Sequence, residues 1–174
     1  MEQGSATREF AERSIELLDA QLNAIESSII RLQEEEIWRK IKPELNSIGN
    51  LCLHLAGSEH QHIVSGIGGK PFIRKRSNEF LADSGYTGVE LIEHLKNVRE
   101  QSKKVLSELN PDELSKQVAI HYPQGANVSV NDYTHTVLSI ILIVVEHSSY
   151  HTGQIVYMTK LLQDSSKHIL QWRH

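Results

Sequence analysis

The chain has 174 residues, of which 39% are hydrophobic and 23% charged, a composition that predicts one globular domain over residues 1–174 and disfavours disorder. Its formal charge of −4 gives no bulk attraction to nucleic acid or to an anionic membrane, so neither is an expected partner. The longest apolar run, residues 137–145, is too short for a bilayer span of about 20 residues. One cysteine, Cys52, and an N-terminus without a signal pattern favour the cytoplasm.

The first predicted element is an amphipathic helix over about residues 6–36. Its apolar stripe steps by three and four residues and consists of Leu18, Leu22, Ile25, Ile29 and Leu32. The acidic residues 34–36 and Pro43 place the end of this helix before the proline, because the residue preceding a proline is pushed away from helical geometry.

A second helix is predicted to begin at Asn46 or Ser47, both good N-caps, and to end at the glycines within residues 66–69. Gly49 and Gly57 each cost such a helix about 1 kcal/mol relative to alanine. This cost suggests that both glycines pack closely against a neighbouring element.

After a loop to about residue 86, Thr87 and Glu90 form the pattern of a capping box. The helix that follows is the clearest amphipathic one of the chain, and Asn110 and Pro111 end it. Residues 118–128 read as an irregular connection with some extended backbone.

The last helix is predicted from a cap pattern at residues 129–132 and runs to about Gln163, roughly 50 Å. Residues 137–145 are rich in Val and Ile, so a buried strand is the local alternative, but the helical stepping continues too long for a strand. Four helices with long crossover connections predict an all-α four-helix bundle. In the tail, Ile169, Leu170 and Trp172 are expected to pack back onto it.

Histidine is the unusual residue of this chain, with ten copies. His147 and His151 are four residues apart, so on a helix they share a face and can bind one metal ion. An isolated pair of this spacing is more often two hydrogen-bonded or surface histidines. It is not a zinc-protease motif, because Ser148 stands where that motif has its glutamate base.

The best third ligand is His54, which lies between two apolar positions of the second helix. Three imidazoles from two facing helices leave a coordination position open, as in catalytic metal sites. The other seven histidines are expected to behave as surface or loop residues; they are His60, His62, His94, His121, His135, His168 and His174.

Three polar residues near these histidines are candidates for orienting a ligand or substrate: Asn50, Tyr150 and Gln154. For Asn50 and Gln154 the alternative is a bond to the backbone or a helix cap, and for Tyr150 it is ordinary packing. Cys52 lies roughly 200° around the helix from His54 and is expected to fill the core.

The basic cluster Arg74, Lys75 and Arg76 reads as a solvated loop rather than a nucleic-acid or anion contact. Acidic Glu79 and Asp83 follow it, and the whole chain is acidic.

Two segments together resemble the DinB/YfiT-like superfamily of metal-binding four-helix bundles: SIGNLCLHLAG at residues 47–57 and EHSSYHTGQI at residues 146–155. The resemblance extends over essentially the whole chain in helix order. It implies that His54, His147 and His151 bind one divalent metal, and that the protein is bacterial, cytoplasmic and often a homodimer.

Members of that superfamily include bacillithiol-type thiol transferases and a mycothiol-dependent maleylpyruvate isomerase. The resemblance therefore favours a metal-dependent thiol S-transferase or detoxification enzyme acting on a small electrophilic substrate, with a low-molecular-weight thiol as cosubstrate. Zn or Ni suits imidazole ligands best, with Fe or Mn as further options. The alternatives are a metal-dependent hydrolase and a non-catalytic bundle in which the metal joins two helices.

Overall fold

Most of the chain is helical, and the computed structural model describes residues 2–122, 131–164 and 169. Helix α1 covers Glu2–Ile29, and a separate short helix α2 covers Glu34–Trp38. The prediction of one helix over 6–36 was therefore wrong at its end. The Glu36 carboxylate accepts from the Gln33 N–H at 2.9 Å, so the acidic run begins a new helix instead of ending the first one.

Helix α3 covers Ile48–Glu59 and continues without a break as a π-helical segment, His60–Ile67. Ser47 is its N-cap, as predicted, and accepts from the Asn50 N–H at 3.1 Å. The predicted end at the glycines is confirmed, since Gly68 closes the segment and Gly69 follows with a φ of +66°. The predicted close packing at Gly49 is confirmed too, because an added Cβ would lie 2.6 Å from the Trp38 ring.

The connection from α3 to α5 contains a short helix, α4, at Arg76–Leu81. Helix α5 covers Gly88–Ser107, and its predicted capping box is confirmed. The Thr87 N–H donates to the Glu90 carboxylate at 2.7 Å, while the Glu90 N–H donates to the Thr87 hydroxyl at 3.2 Å.

Two short strands precede the last helix: β1, Gln117–Ile120, pairs antiparallel with β2, Tyr133–Thr136. Helix α6 then covers Val137–Leu162 with Thr136 as its N-cap. Its predicted start at the cap pattern of residues 129–132 was wrong, because residues 133–136 form β2 and are paired with β1. At 26 residues, α6 is about 39 Å long rather than 50 Å. The strand alternative for 137–145 was also wrong, and the predicted extended backbone near residue 118 is confirmed by β1.

Within the described residues, the long helices are α1, α3, α5 and α6, and they form the predicted all-α bundle with long connections. Helix α1 packs against α5 and α6, and so does α3, which places α1 diagonally opposite α3. The contact between α3 and α6 brings the segments that carry the candidate metal ligands face to face. None of the helices in the described ranges is both long and apolar enough to cross a membrane.

Apolar side chains form two large buried clusters in the bundle, one of which contains Cys52. Burial raises the pKa of the Cys52 thiol to about 12, so this side chain stays protonated and fills the core, as expected. Ile169 packs with Ala24 and Val156, in agreement with the prediction for the tail, whereas Leu170 and Trp172 lie outside the described residues.

Candidate metal centre

The bundle brings His54, His147 and His151 together. One nitrogen of each ring lies within 4.8 Å of the others, and the Nε2 atoms of His54 and His147 are 3.0 Å apart. His54 is 7% exposed, whereas His147 and His151 are half-buried and give the cluster one side near solvent.

The cluster has the dimensions of a metal site. Two nitrogens bound at 2.1 Å to a tetrahedral ion lie about 3.4 Å apart, which falls between the shortest separation, 3.0 Å, and the upper limit, 4.8 Å. The three ring planes are steeply inclined to one another, at 75–89°, and their centroids lie 4.6–5.2 Å apart. The donor set and its spacing therefore fit a divalent ion.

Polar groups lie at the outer nitrogens of two of these rings. His54 Nδ1 lies 3.0 Å from Glu79 Oε2, and His151 Nδ1 lies 2.6 Å from Gln154 Oε1. Both oxygens can accept a hydrogen bond from Nδ1, although Arg74 Nη2, which only donates, also lies 3.0 Å from His54 Nδ1. A proton on Nδ1 leaves the Nε2 lone pair free on the side of the cluster, the tautomer that ligating histidines adopt.

Glu79 is held in turn by Arg74 through two parallel hydrogen bonds, Nε to Oε1 at 2.6 Å and Nη2 to Oε2 at 2.7 Å. Arg74 also donates from Nη1 to Gln61 Oε1 at 2.6 Å. Burial alone would raise the pKa of the Glu79 carboxyl, but the bonds and charge of Arg74, with the bond to His54, hold that pKa below its usual value. Glu79 is therefore an ionised acceptor for the His54 ring.

The interpretation of the basic cluster as a solvated loop was wrong for Arg74, which is only 8% exposed. Lys75 is exposed, as expected, and Arg76 lies over the Phe80 ring at 4.9 Å. Sequence reasoning missed Arg74, Glu79 and Gln61 as partners of the site. The one available signal was the five-residue spacing from Arg74 to Glu79, which was read as charge balance on a surface.

Asn50 is fully buried but does not touch the three histidines. Its side chain accepts from the Ser47 N–H at 3.0 Å and donates to the carbonyls of Glu79 and Ala82 at 2.9 and 2.6 Å. It thus caps α3 and ties the backbone of α4 to it, which positions Glu79 from a distance.

The other two polar candidates lie on α6 beside His151. Gln154 bonds the His151 ring, whereas Tyr150 is 65% exposed and meets that ring edge on at a centroid distance of 5.2 Å. Of the three candidates, only Gln154 makes a hydrogen bond to a histidine of the cluster.

The electrostatics of the cluster keep the rings of His54 and His147 neutral. Burial is the largest cause of a lowered pKa at His54 and His147, and neighbouring positive charge adds to it, so the pKa of His147 falls to about 3. For His54, the bond to Glu79 opposes this shift, but burial and Arg74 outweigh it. Neutral imidazole is the form that binds metal, so the site is ready for an ion at neutral pH.

The structure confirms three of the seven histidines expected at the surface: His94, His121 and His135 are exposed. His60 is half-buried. His62 contradicts the expectation, with an exposure of 4%, because the π-helical turn brings it inward. It donates from Nδ1 to the Ser58 carbonyl at 2.7 Å and accepts from the Tyr133 hydroxyl at 2.6 Å. His168 and His174 lie outside the described residues.

Solved structures of DinB-like proteins have a fold similar to this helical bundle. A DinB-like protein from Bacillus cereus ATCC 10987 is similar with a TM-score of 0.60 at 15% identity, covering 81% of this chain and 85% of its own. A DinB-like protein from Bacillus subtilis gives 0.62 at 13% identity, covering 90% and 99%. A conserved protein from Enterococcus faecalis gives 0.65 at 16%, covering 87% and 96%.

Residues 5–172 match the family DUF1572, whose members are described as proteins of unknown function, and the chain belongs to this family. No curated protein matches the chain. The solved structures share the fold that the resemblance to the DinB/YfiT-like superfamily predicts, and they establish the fold rather than an activity.

Proposed function

We propose that this protein is a metal-dependent enzyme that binds one divalent metal ion through His54, His147 and His151. The reaction we propose is thiol S-transfer to a small electrophilic substrate, of the detoxification type. The observation that carries the proposal is that one imidazole nitrogen of each of the three rings lies within 4.8 Å of the others, with an ionised carboxylate at the outer nitrogen of His54.

Three protein ligands leave at least one position for an exchangeable ligand. A divalent ion held by neutral imidazoles lowers the pKa of a thiol or a water bound there, which supplies a nucleophile near neutral pH. The half-buried His147 and His151 border the side from which a small thiol can approach. Zn and Ni are the proposed ions, with Fe or Mn as alternatives for the same ligands.

The chain's own residues would orient the ligands and limit access. Glu79 contacts the outer nitrogen of His54, and Gln154 contacts that of His151, so both rings keep their orientation without a metal. Phe80 covers one side of the His54 ring at a centroid distance of 4.8 Å and excludes water there.

The second candidate is a metal that only joins α3 to α6 without catalysis. One observation favours it: a cavity of about 440 Å³ beside α3 is lined by none of the three histidines. A hydrolase using the same site is a third reading, in which water replaces the thiol.

The test is the metal content of protein purified without an affinity tag, before and after incubation with Zn or Ni. We expect about one equivalent in the wild type, loss of it in His151→Ala, and retention in the matched control His135→Ala, which removes an exposed histidine on β2. A folded wild type that binds neither ion would sink the proposal.

A second arm separates the candidates once metal is bound. Consumption of low-molecular-weight thiols with small electrophiles supports the transferase, and ester or amide hydrolysis supports the hydrolase. Loss of thermal stability on chelation without either activity supports the joining role.

We further propose that the protein is a cytoplasmic homodimer. The outward face of α6 supports association, because Leu142, Tyr157 and Leu161 are each at least half exposed. Light scattering would then give about 39 kDa, twice the chain mass of 19.7 kDa.

A further inference from the structure

A cavity of about 440 Å³ lies between α3, α4 and α5, within the size range of small-molecule sites. Leu53, Ala56 and Gly57 line it from α3, on a face of the helix that does not include His54. Helix α5 contributes Val98 and His94. The cavity is therefore separate from the three-histidine cluster, although Arg74 and Glu79 border both.

Most of the wall is apolar or aromatic. The rings of Tyr86 and His94 stack with a centroid distance of 6.3 Å and form one flat side, while Leu53 and Ile73 contribute aliphatic surface. Such a wall favours a ligand with a planar apolar body, because burying it removes apolar area from water on both partners.

The charged groups of the wall leave one positive charge uncompensated. Arg74 and Glu79 neutralise each other through their two hydrogen bonds. Lys75, in contrast, is exposed and makes no side-chain ion pair or hydrogen bond within the described part of the chain. Partial desolvation by neighbouring groups lowers the pKa of His60 and of His94, even though much of the His94 side chain is exposed, so both rings are uncharged at neutral pH.

We infer that this cavity binds a small organic monoanion, with its apolar body against the ring wall formed by Tyr86 and His94 and its carboxylate at Lys75. The inference goes beyond the proposed metal function and does not depend on it, since none of the three histidines lines the cavity. A dianion or compact phosphate suits the site less well, because one lysine faces a mainly apolar wall.

The probe for the test is benzoate, with benzamide as its neutral counterpart of nearly equal shape. The readout is the backbone amide spectrum of isotope-labelled full-length protein. We expect saturable shifts confined to residues 53–60, 73–86 and 94–98, and an affinity for benzoate about three- to fivefold above that for benzamide, as an exposed ion pair supplies.

Two variants test the assignment, and both alter exposed side chains, so folding is not at stake. Lys75→Gln should reduce benzoate affinity to that of benzamide, while the control Lys116→Gln, an exposed lysine outside the cavity, should leave it unchanged. Asn78→Phe places a ring in the cavity and should weaken both probes at least tenfold.

A carboxylate can also ligate a metal ion, so the titration is repeated after chelation. Shifts that persist at the cavity support the inference. Shifts that move to residues 147–154, or disappear with the metal, overturn it. So do equal affinities of wild type and Lys75→Gln for benzoate, or no saturable binding of either probe at tens of millimolar.

Discussion

Two buried arginine–glutamate pairs in this protein have nearly the same geometry and different tasks. Arg74 grips Glu79 at 2.6 and 2.7 Å, and Arg99 grips Glu59 at 2.8 and 2.9 Å. All four residues are less than 9% exposed. What differs is the third partner, which is His54 for the first pair and Asp19 for the second.

Arg99 on α5 bonds Glu59 on α3, 40 positions away in sequence, and Asp19 on α1, 80 positions away. This pair therefore joins three helices. The Arg74 pair is local, five residues apart, and projects from the α3–α5 connection onto one ring of the candidate metal centre. The same interaction thus joins helices in one place and contacts a candidate metal ligand in the other. Breaking each pair should therefore affect a different measurement.

The largest expected effect is on folding stability at the helix-joining pair. Glu59→Gln leaves the buried Arg99 guanidinium without its main counter-charge, and we expect the free energy of unfolding to fall by about 3 kcal/mol. Urea denaturation measures it. The metal affinity of the folded fraction should stay within a few-fold of wild type, and a large loss there would contradict the division of tasks.

Glu79→Gln should weaken metal binding 10- to 100-fold, because the His54 ring loses its ionised acceptor. Competition with a chromophoric chelator measures the affinity. The matched control is Glu35→Gln, an exposed carboxylate on α2, which should change nothing. If Glu79→Gln instead lowered stability as much as Glu59→Gln while leaving affinity intact, the two pairs would have the same role.

Gly57 leaves the space through which the Arg74 pair reaches His54. An added Cβ would overlap Glu79 Oε1 and lie 3.0 Å from Arg74 Nε. Gly57→Ala should therefore weaken metal binding several-fold. Overpacking should lower the free energy of unfolding by about 1–3 kcal/mol, and the higher helix propensity of alanine should offset about 1 kcal/mol of that loss.

Gly153→Ala on α6 is the control for Gly57→Ala, since its Cβ would meet nothing within 4 Å. It should stabilise the protein by about 0.5–1 kcal/mol and leave metal affinity unchanged. Equal metal affinities of Gly57→Ala and Gly153→Ala would show that metal binding does not depend on the present position of Glu79. Thermal unfolding measures the stability of each variant, and chelator competition measures its metal affinity.

The smallest expected effect is a pH dependence of the free energy of unfolding. The three-histidine cluster should cause it, and the Arg99 pair should not. The folded-state pKa values of His54 and His147 are lowered, so their contribution to the free energy of unfolding is fully present above the unfolded value of about 6.5. It is lost as the pH falls through the folded-state values, which for His147 is about 3. Arg99, with its pKa raised, stays charged throughout.

In chelated protein we expect a loss of roughly 1 kcal/mol between pH 7 and pH 6, since each histidine kept neutral by the fold contributes about 0.7 kcal/mol over that interval. His147→Gln should flatten this slope, and His135→Gln, which removes an exposed histidine, is the matched control. Urea denaturation at closely spaced pH values measures the slope. An unchanged slope in His147→Gln would place the titrating groups elsewhere.

The sequence by itself determined the elements that depend on neighbours in the chain. Apolar stepping located the long helices, and Ser47 and Thr87 marked two helix starts. Two short motifs carried the resemblance to the superfamily and with it the prediction of the three histidines. These features are readable because capping bonds and helical periodicity act over three or four residues. The same locality explains the wrong start of α6, since β2 exists only through its pairing with β1.

The tertiary structure alone decided what surrounds the histidines. Arg74 and Glu79 look like surface charges in the sequence, yet the fold buries them against His54, which lies 20 and 25 residues away. His62 was likewise turned inward, to a partner 71 residues away on β2. Whether a charged side chain is solvated or buried depends on which distant segment packs over it. No local sequence pattern encodes which segment that is.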